Sequence, residues 1–188
     1  VRVKVCIDPG HGMGNTRPGV FDPGAQGHGY READLTLKMA LTLKFVFVDE
    51  GVNYFMTRSN NTTNAPLAKR VERATTAKCT HYLSLHMNSD GPTASGTESY
   101  WRDTKDRNLA EVVQPYAVGA FDLNDRGLKW EGESQHTRLF VFNFAGPTTL
   151  VEMGFISNYG DALAIDNRNN RLDFATKLAA FFKFLESQ

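Results

Sequence analysis

His11, Glu32, His86 and Glu152 are the residues of this chain whose types and positions could do chemistry together. His11 sits in Asp8-Pro9-Gly10-His11-Gly12, directly after the apolar run Val3-Lys4-Val5-Cys6-Ile7. His86 closes Tyr82-Leu83-Ser84-Leu85-His86, and Glu152 closes Thr148-Thr149-Leu150-Val151-Glu152. Glu32 follows the turn Gly24-Ala25-Gln26-Gly27-His28-Gly29 and opens a helical pattern. Two imidazoles and one carboxylate are the ligand set of a catalytic zinc with an open fourth position. A further carboxylate beside such a metal can take a proton from water, as a hydrolase requires.

Each residue also has a plainer reading. His11 could cap a turn, and Glu32 could complement a helix dipole. His86 could be a satisfied core histidine, and Glu152 could pair with an arginine. The four are not independent, because a buried histidine pair beside two carboxylates carries a large desolvation cost without a metal. His28 lies close to Glu32 and could touch substrate, His81 reads as packing or surface, and His136 as solvated.

The elements that must position these residues alternate. Strands are expected at Val3–Ile7, Val52–Thr57, His81–His86, Gly96–Trp101, Leu139–Phe144 and Thr148–Met153. Helices are expected at Arg31–Glu50, Leu67–Lys78, Asn108–Phe121, Asn158–Asp166 and Leu172–Leu185, the first stopped by Gly51. That alternation implies a single α/β domain over residues 1–188, with a mixed or largely parallel central sheet flanked by helices. In such sheets ligands bind beyond the carboxyl ends of strands, where His11, His86 and Glu152 fall. The irregular stretch Gly12–Gly29 would wrap the edge of the site.

Size and composition fit this reading. The 188 residues are 41% hydrophobic and 22% charged, which is ordinary for a globular domain. Lys plus Arg equals Asp plus Glu at 21 each, which argues against broad electrostatic binding to nucleic acid or anionic membrane. No apolar run approaches the ~20 residues that span a bilayer. Val1 runs straight into a strand-like segment, so no leader is expected within this sequence, and a leader removed ahead of Val1 is the alternative. Cys6 and Cys79 match no ligand spacing and read as free, partly buried thiols, with one disulfide as the alternative.

Taken in order, the segments resemble those of the zinc-dependent N-acetylmuramoyl-L-alanine amidases, the Amidase_3 family. The motifs are Asp8-Pro9-Gly10-His11-Gly12, then Asp22-Pro23-Gly24-Ala25 followed by Glu32 and Leu35-Thr36-Leu37, then Met56-Thr57-Arg58 with Leu67 and Arg70. Ser84-Leu85-His86-Met87-Asn88, Gly96-Thr97-Glu98, Arg126-Gly127-Leu128-Lys129 and Val151-Glu152-Met153-Gly154-Phe155-Ile156-Ser157-Asn158 complete the series. Ala77-Lys78-Cys79-Thr80 departs from the glycine-alanine-aspartate usual in the family, away from the four site residues.

The resemblance implies that His11, Glu32 and His86 bind one zinc ion and that Glu152 is the catalytic glutamate. Asn88 and Glu98 would stand at the site's edge. The implied reaction is hydrolysis of the amide between N-acetylmuramic acid and L-alanine of the peptidoglycan stem peptide. Peptidoglycan is the expected partner, met outside the cytoplasm, with a phage lysin slightly favoured over a secreted autolysin. A separate wall-binding module outside this chain is a further expectation, for which Phe174, Phe181 and Phe184 could offer a docking face if they are not core. Two other functions compete: a zinc peptidase or deacetylase acting on another amide, and a non-catalytic peptidoglycan-binding module. Asp8 could accept the second ring N–H of a metal-binding histidine, although a turn-stabilising role suits it better.

Overall fold

Extended backbone sends successive side chains to opposite faces, and in Val5-Cys6-Ile7 both faces are buried. Val5 and Ile7 enter a larger core cluster and Cys6 a smaller one. In the computed structural model, which describes residues 2–188 and leaves Val1 outside the described residues, this run is β1 (Val5–Pro9). Five strands join it: β2 (Tyr54–Met56), β3 (His81–Asn88), β4 (Thr97–Trp101), β5 (Asp125–Trp130) and β6 (Thr148–Phe155). The order across the sheet is β2-β1-β3-β6-β4-β5. The first four run parallel, whereas β4 is antiparallel to β6 and parallel to β5. The sheet is therefore mixed and mostly parallel, as expected.

Helices cover both faces. Leu35, Met39 and Leu43 of α1 (Glu32–Glu50), Leu109 and Val113 of α3 (Thr104–Phe121), and Phe174 and Leu178 of α5 (Arg168–Ser187) fill the larger cluster. Ala74 of α2 (Leu67–Thr76) packs in the smaller cluster with Cys6, Tyr82 and Leu150. The short α4 (Tyr159–Asp166) follows β6. Gly51 ends α1 in the left-handed conformation, as expected of it.

Several boundaries differ from the sequence reading, each for a local reason. Leu139–Phe144 is not a strand: Phe140–Asn143 is a 3-10 turn. Its apolar residues suit a strand, but β6 already has β3 and β4 as neighbours, so Val141, Phe142 and Phe144 pack on the sheet face instead. The strand β5 was not expected, because Asp125-Arg126-Gly127-Leu128-Lys129-Trp130 lacks apolar alternation and lies at an edge. The third helix starts at Thr104 rather than Asn108 because the Asp103 side chain accepts the amides of Lys105 and Asp106. Asn167 does the same for the last helix, which starts at Arg168.

Phe174 is core and Phe181 is partly buried against it, whereas Phe184 is exposed. Cys6 and Cys79 are both free thiols. Among the described residues, no helix is long and apolar enough to cross a membrane.

Candidate active site

Strand register brings the first residues together. Glu152 stands opposite His86 on β3 and opposite Glu98 on β4. The three form a row across the sheet on the face that also carries Tyr82, Leu150 and Tyr100. Glu152 lies within β6, which continues to Phe155.

His11 leaves the end of β1 with a φ of 59°, uncommon for a residue with a side chain. Two arginines, each 1% exposed, hold the turn. Arg58 donates from Nε to the Pro9 carbonyl at 3.0 Å and from Nη2 to the Gly10 carbonyl at 2.7 Å. Arg70 donates to the carbonyls of Pro9 at 2.8 Å and His11 at 2.6 Å. Asp8 pairs with Arg70, accepting from it at 2.8 Å, and also accepts from Thr57 at 2.6 Å and Ser84 at 3.0 Å. Burial pushes the Asp8 carboxyl upward, but Arg70 and the Thr57 hydroxyl outweigh it and hold the pKa below its ordinary value. Asp8 thus anchors the turn and bonds to neither histidine.

Asp22 is the partner that sequence reasoning did not assign. Its Oδ2 lies 3.0 Å from His11 Nδ1, and it also accepts from Asn15 Nδ2 at 2.6 Å. Its Oδ1 accepts the Gly24 amide at 2.9 Å. The stretch between Gly12 and Gly29 is less irregular than expected. It folds into a ladder of Gly12–Met13 with Phe21–Asp22, which swings Asp22 beside His11. A second ladder, Gln26–Gly27 with Tyr30–Arg31, leads into α1. The signal lay in Asp22-Pro23-Gly24, where an aspartate precedes a turn, but nothing local says which histidine it meets.

Glu32 is the first residue of α1 and 3% exposed. Its Oε1 accepts the Met87 amide at 3.0 Å and its Oε2 the Ala25 amide at 2.9 Å. The same carboxylate lies 3.1 Å from His11 Nε2 and 2.9 Å from His86 Nδ1. Burial pushes Glu32 upward, yet the two imidazoles overcome it and hold the carboxyl far below its ordinary range. Burial likewise lowers His11, but Glu32 and Asp22 reverse that and raise it.

His11, Glu32 and His86 offer donor atoms that all lie within 4.8 Å of one another. Ligands on a tetrahedral ion with bonds of ~2.0–2.1 Å stand ~3.3 Å apart, close to the 3.1 Å from His11 Nε2 to Glu32 Oε2 and the 2.9 Å from His86 Nδ1 to Glu32 Oε1. The donor set therefore fits one such ion.

Two glycines make room for it. A Cβ on Gly10 would come within 2.4 Å of the His86 ring. One on Gly24, whose φ is already 67°, would come within 2.6 Å of Glu32 Oε2 and 2.7 Å of His11. Any side chain at either position would displace a donor.

Glu152 has the opposite environment to Glu32. Its Oε2 is shielded from solvent and has no hydrogen-bond partner. Burial, reinforced by the charges of Glu32 and Glu98, pushes its carboxyl well above the ordinary range. The anticipated alternative, a pairing with arginine, is not what the strand provides.

These residues line a cleft of about 840 Å³, whose far wall is the segment from Glu133 to Val141. Asn88 and Glu98 line it too, joined by a 3.0 Å hydrogen bond. Among the described residues, His28 is not part of that lining. It is exposed, bonds the Ser157 carbonyl at 3.0 Å and sits beside Tyr159. His81 packs its ring on Phe182, and the exposed His136 lies at the cleft wall.

Comparison with known proteins adds to this geometry. The family model described as N-acetylmuramoyl-L-alanine amidase (Amidase_3) matches residues 5–182. The sporulation-specific N-acetylmuramoyl-L-alanine amidase of Bacillus subtilis is 34% identical over 165 residues, covering 85% of this chain and 59% of that protein. The N-acetylmuramoyl-L-alanine amidase LytC of the same organism is 32% identical over 164 residues, covering 84% of this chain and 30% of that protein. The chain thus spans less than two thirds of either relative. The catalytic domain of CwlV, an N-acetylmuramoyl-L-alanine amidase from Bacillus (Paenibacillus) polymyxa var. colistinus, superposes with a TM-score of 0.82 at 27% identity, covering 99% of both chains.

Proposed function

The chain belongs to the N-acetylmuramoyl-L-alanine amidase (Amidase_3) family, and from that premise we propose that it hydrolyses the amide between N-acetylmuramic acid and L-alanine of the peptidoglycan stem peptide, with one zinc ion as cofactor. The observation that carries this reading is the pairing of a three-donor cluster with an unpartnered carboxylate in one cleft. His11, Glu32 and His86 would hold the metal. Zinc, when bound, supplies a Lewis acid that brings the pKa of water to about 7 and polarises the scissile carbonyl.

The chain's own residues do the rest. Asp22 accepts the Nδ1 proton of His11, which fixes the tautomer that leaves Nε2 free to donate to a metal. Glu152 takes a proton from the attacking water, and burial with two neighbouring carboxylates favours its protonated form. As water oxygen bonds to the lactyl carbonyl carbon and the carbon–nitrogen bond breaks, Glu152 returns that proton to the departing alanine amine. The products are a lactyl carboxylate and a stem peptide with a new amino terminus.

The reaction is placed on the bacterial wall, outside the cytoplasm. The phage-lysin setting expected from the sequence gains no support from the relatives compared. Their greater lengths leave room for the separate wall-binding module that the sequence suggested.

The test is digestion of purified peptidoglycan with identification of the new amines. Native, chelated, zinc-restored and Glu152→Ala proteins are compared. Release of amino-terminal alanine that needs both zinc and Glu152 is expected. A new amine on a sugar would point instead to a deacetylase, and no new amine on any peptidoglycan would overturn the amidase reading.

A further inference from the structure

Beside Glu152, the cleft holds a cation whose hydrogen-bonding capacity is only partly used. Arg126 on β5 donates from Nε to Glu98 Oε2 at 2.8 Å. Glu98 is itself 3% exposed and fixed by Asn88 Nδ2 at 3.0 Å and by the Tyr100 hydroxyl at 2.9 Å. The guanidinium carbon lies 4.8 Å from the centre of the Phe155 ring. Its aliphatic stem runs over Gly96, where an added Cβ would come within 2.9 Å of Cγ. Ring, glycine and carboxylate together fix the arginine in one orientation.

Among the described residues, neither Nη of Arg126 donates to a protein acceptor, and the side chain is 40% exposed on the cleft. A guanidinium has five N–H donors and only the Nε one is used here. A planar pair of free Nη groups, held in advance, is suited to a carboxylate. Besides Arg126, the cleft lining carries the carboxylates of Glu98 and Glu133 and the cation of Arg138. A second anion entering there needs such a cation.

Position sets which anion. Glu98 lies directly opposite Glu152, one strand spacing or ~4.8 Å away, and Arg126 lies on the next strand. An extended chain advances ~3.3–3.6 Å per residue. A peptide leaving the scissile amide across the strand ends therefore reaches the Arg126 guanidinium within about two residues.

We propose that Arg126 is a specificity-determining residue whose free Nη edge binds a carboxylate carried by the stem peptide within two residues of the scissile amide. The proposal rests on the amidase reading and names the substrate class within it: stems with a free carboxylate there, as against stems in which that group is a carboxamide.

The experiment uses two synthetic muramoyl peptides that differ only in that group, with wild type, Arg126→Gln and Arg126→Lys. Wild type should cleave the carboxylate form about 10- to 100-fold more efficiently, the effect expected of a charge-assisted pair. Arg126→Gln should bring the ratio near one, chiefly through a higher KM for the carboxylate form, and Arg126→Lys should restore part of it. A ratio near one in wild type, or an unchanged ratio in Arg126→Gln, overturns the inference while leaving the amidase intact. Binding of both peptides to zinc-loaded Glu152→Gln, followed by calorimetry, provides a readout without turnover. If wild type cleaves neither peptide, the amidase reading fails separately, and equal or absent binding of the two forms then overturns the carboxylate site as well.

Discussion

Asp8 and the Oε2 atom of Glu152 are both shielded from solvent at the same end of the sheet, and the protein treats the two acids in opposite ways. Asp8 is surrounded by Arg70, Thr57 and Ser84, each within 3.0 Å. Glu152 Oε2 has no partner at all, and its charged neighbours are two more carboxylates. Burial alone would raise both pKa values; the partners decide that one falls and the other stays high. On the β1 side of the cleft, the acid's charge is met by Arg70 and serves to hold a turn. On the β6 side it is left uncompensated, which suits the proton transfer proposed for Glu152. Of these two acids, the satisfied one is scaffold and the unsatisfied one is the proposed reactive group.

Substitutions can break or sharpen that contrast. The largest effect is expected from Glu152→Gln, which should lower kcat about 10²- to 10⁴-fold while leaving the thermal midpoint unchanged or higher. Retained turnover would place the proton transfer elsewhere. Asp8→Ala should do the reverse. It strands Arg70 as a buried uncompensated charge and should cost ~3–5 kcal/mol in denaturant unfolding. A loss under 1 kcal/mol would show that the β1 side tolerates unpaired charge after all.

Asp22→Ala tests whether orientation of His11 matters separately from its presence. Zinc affinity, followed by competition with a chelator, should drop about 10- to 100-fold, with little change in unfolding. An unchanged affinity would remove Asp22 from the metal site.

The smallest effect is a slope. In zinc-free protein, the raised pKa of Glu152 means the native state keeps a proton that the unfolded chain has lost. Wild type should therefore lose stability as pH rises above the ordinary value of 4.5, by no more than ~1.4 kcal/mol per pH unit. Glu152→Gln lacks that loss, so its advantage over wild type should widen with pH. Asp8 has a lowered pKa, so its contribution is complete above its ordinary value of 3.8 and disappears as pH falls through the folded value. Wild type minus Asp8→Asn should thus change with pH in the opposite sense. Parallel profiles for the two variants would contradict the comparison.

Much of the fold was legible because its signals are local. The apolar run Val5-Cys6-Ile7, the spacing of Leu35, Met39 and Leu43, and the Gly51 stop each depend on neighbours in the chain. The 3-10 turn at Phe140–Asn143 and the edge strand Asp125–Trp130 were not legible. The first depends on β6 having no free side to pair with, and the second gains its place from β4 rather than from its own apolar residues.

The same division runs through the site. The sequence by itself determined the four residue types that chemistry needs and the ordered motifs that tie them to a family. Only the tertiary structure decided that Asp22 rather than Asp8 supports His11, that Arg58 and Arg70 pin the turn, and that His28 bonds Ser157 outside the cleft lining. It also decided that the pKa of Asp8 is held down and that of Glu152 pushed up. A side chain's identity is fixed by its place in the chain, whereas its partners come from strands and loops tens of residues away, and a pKa is a property of those partners.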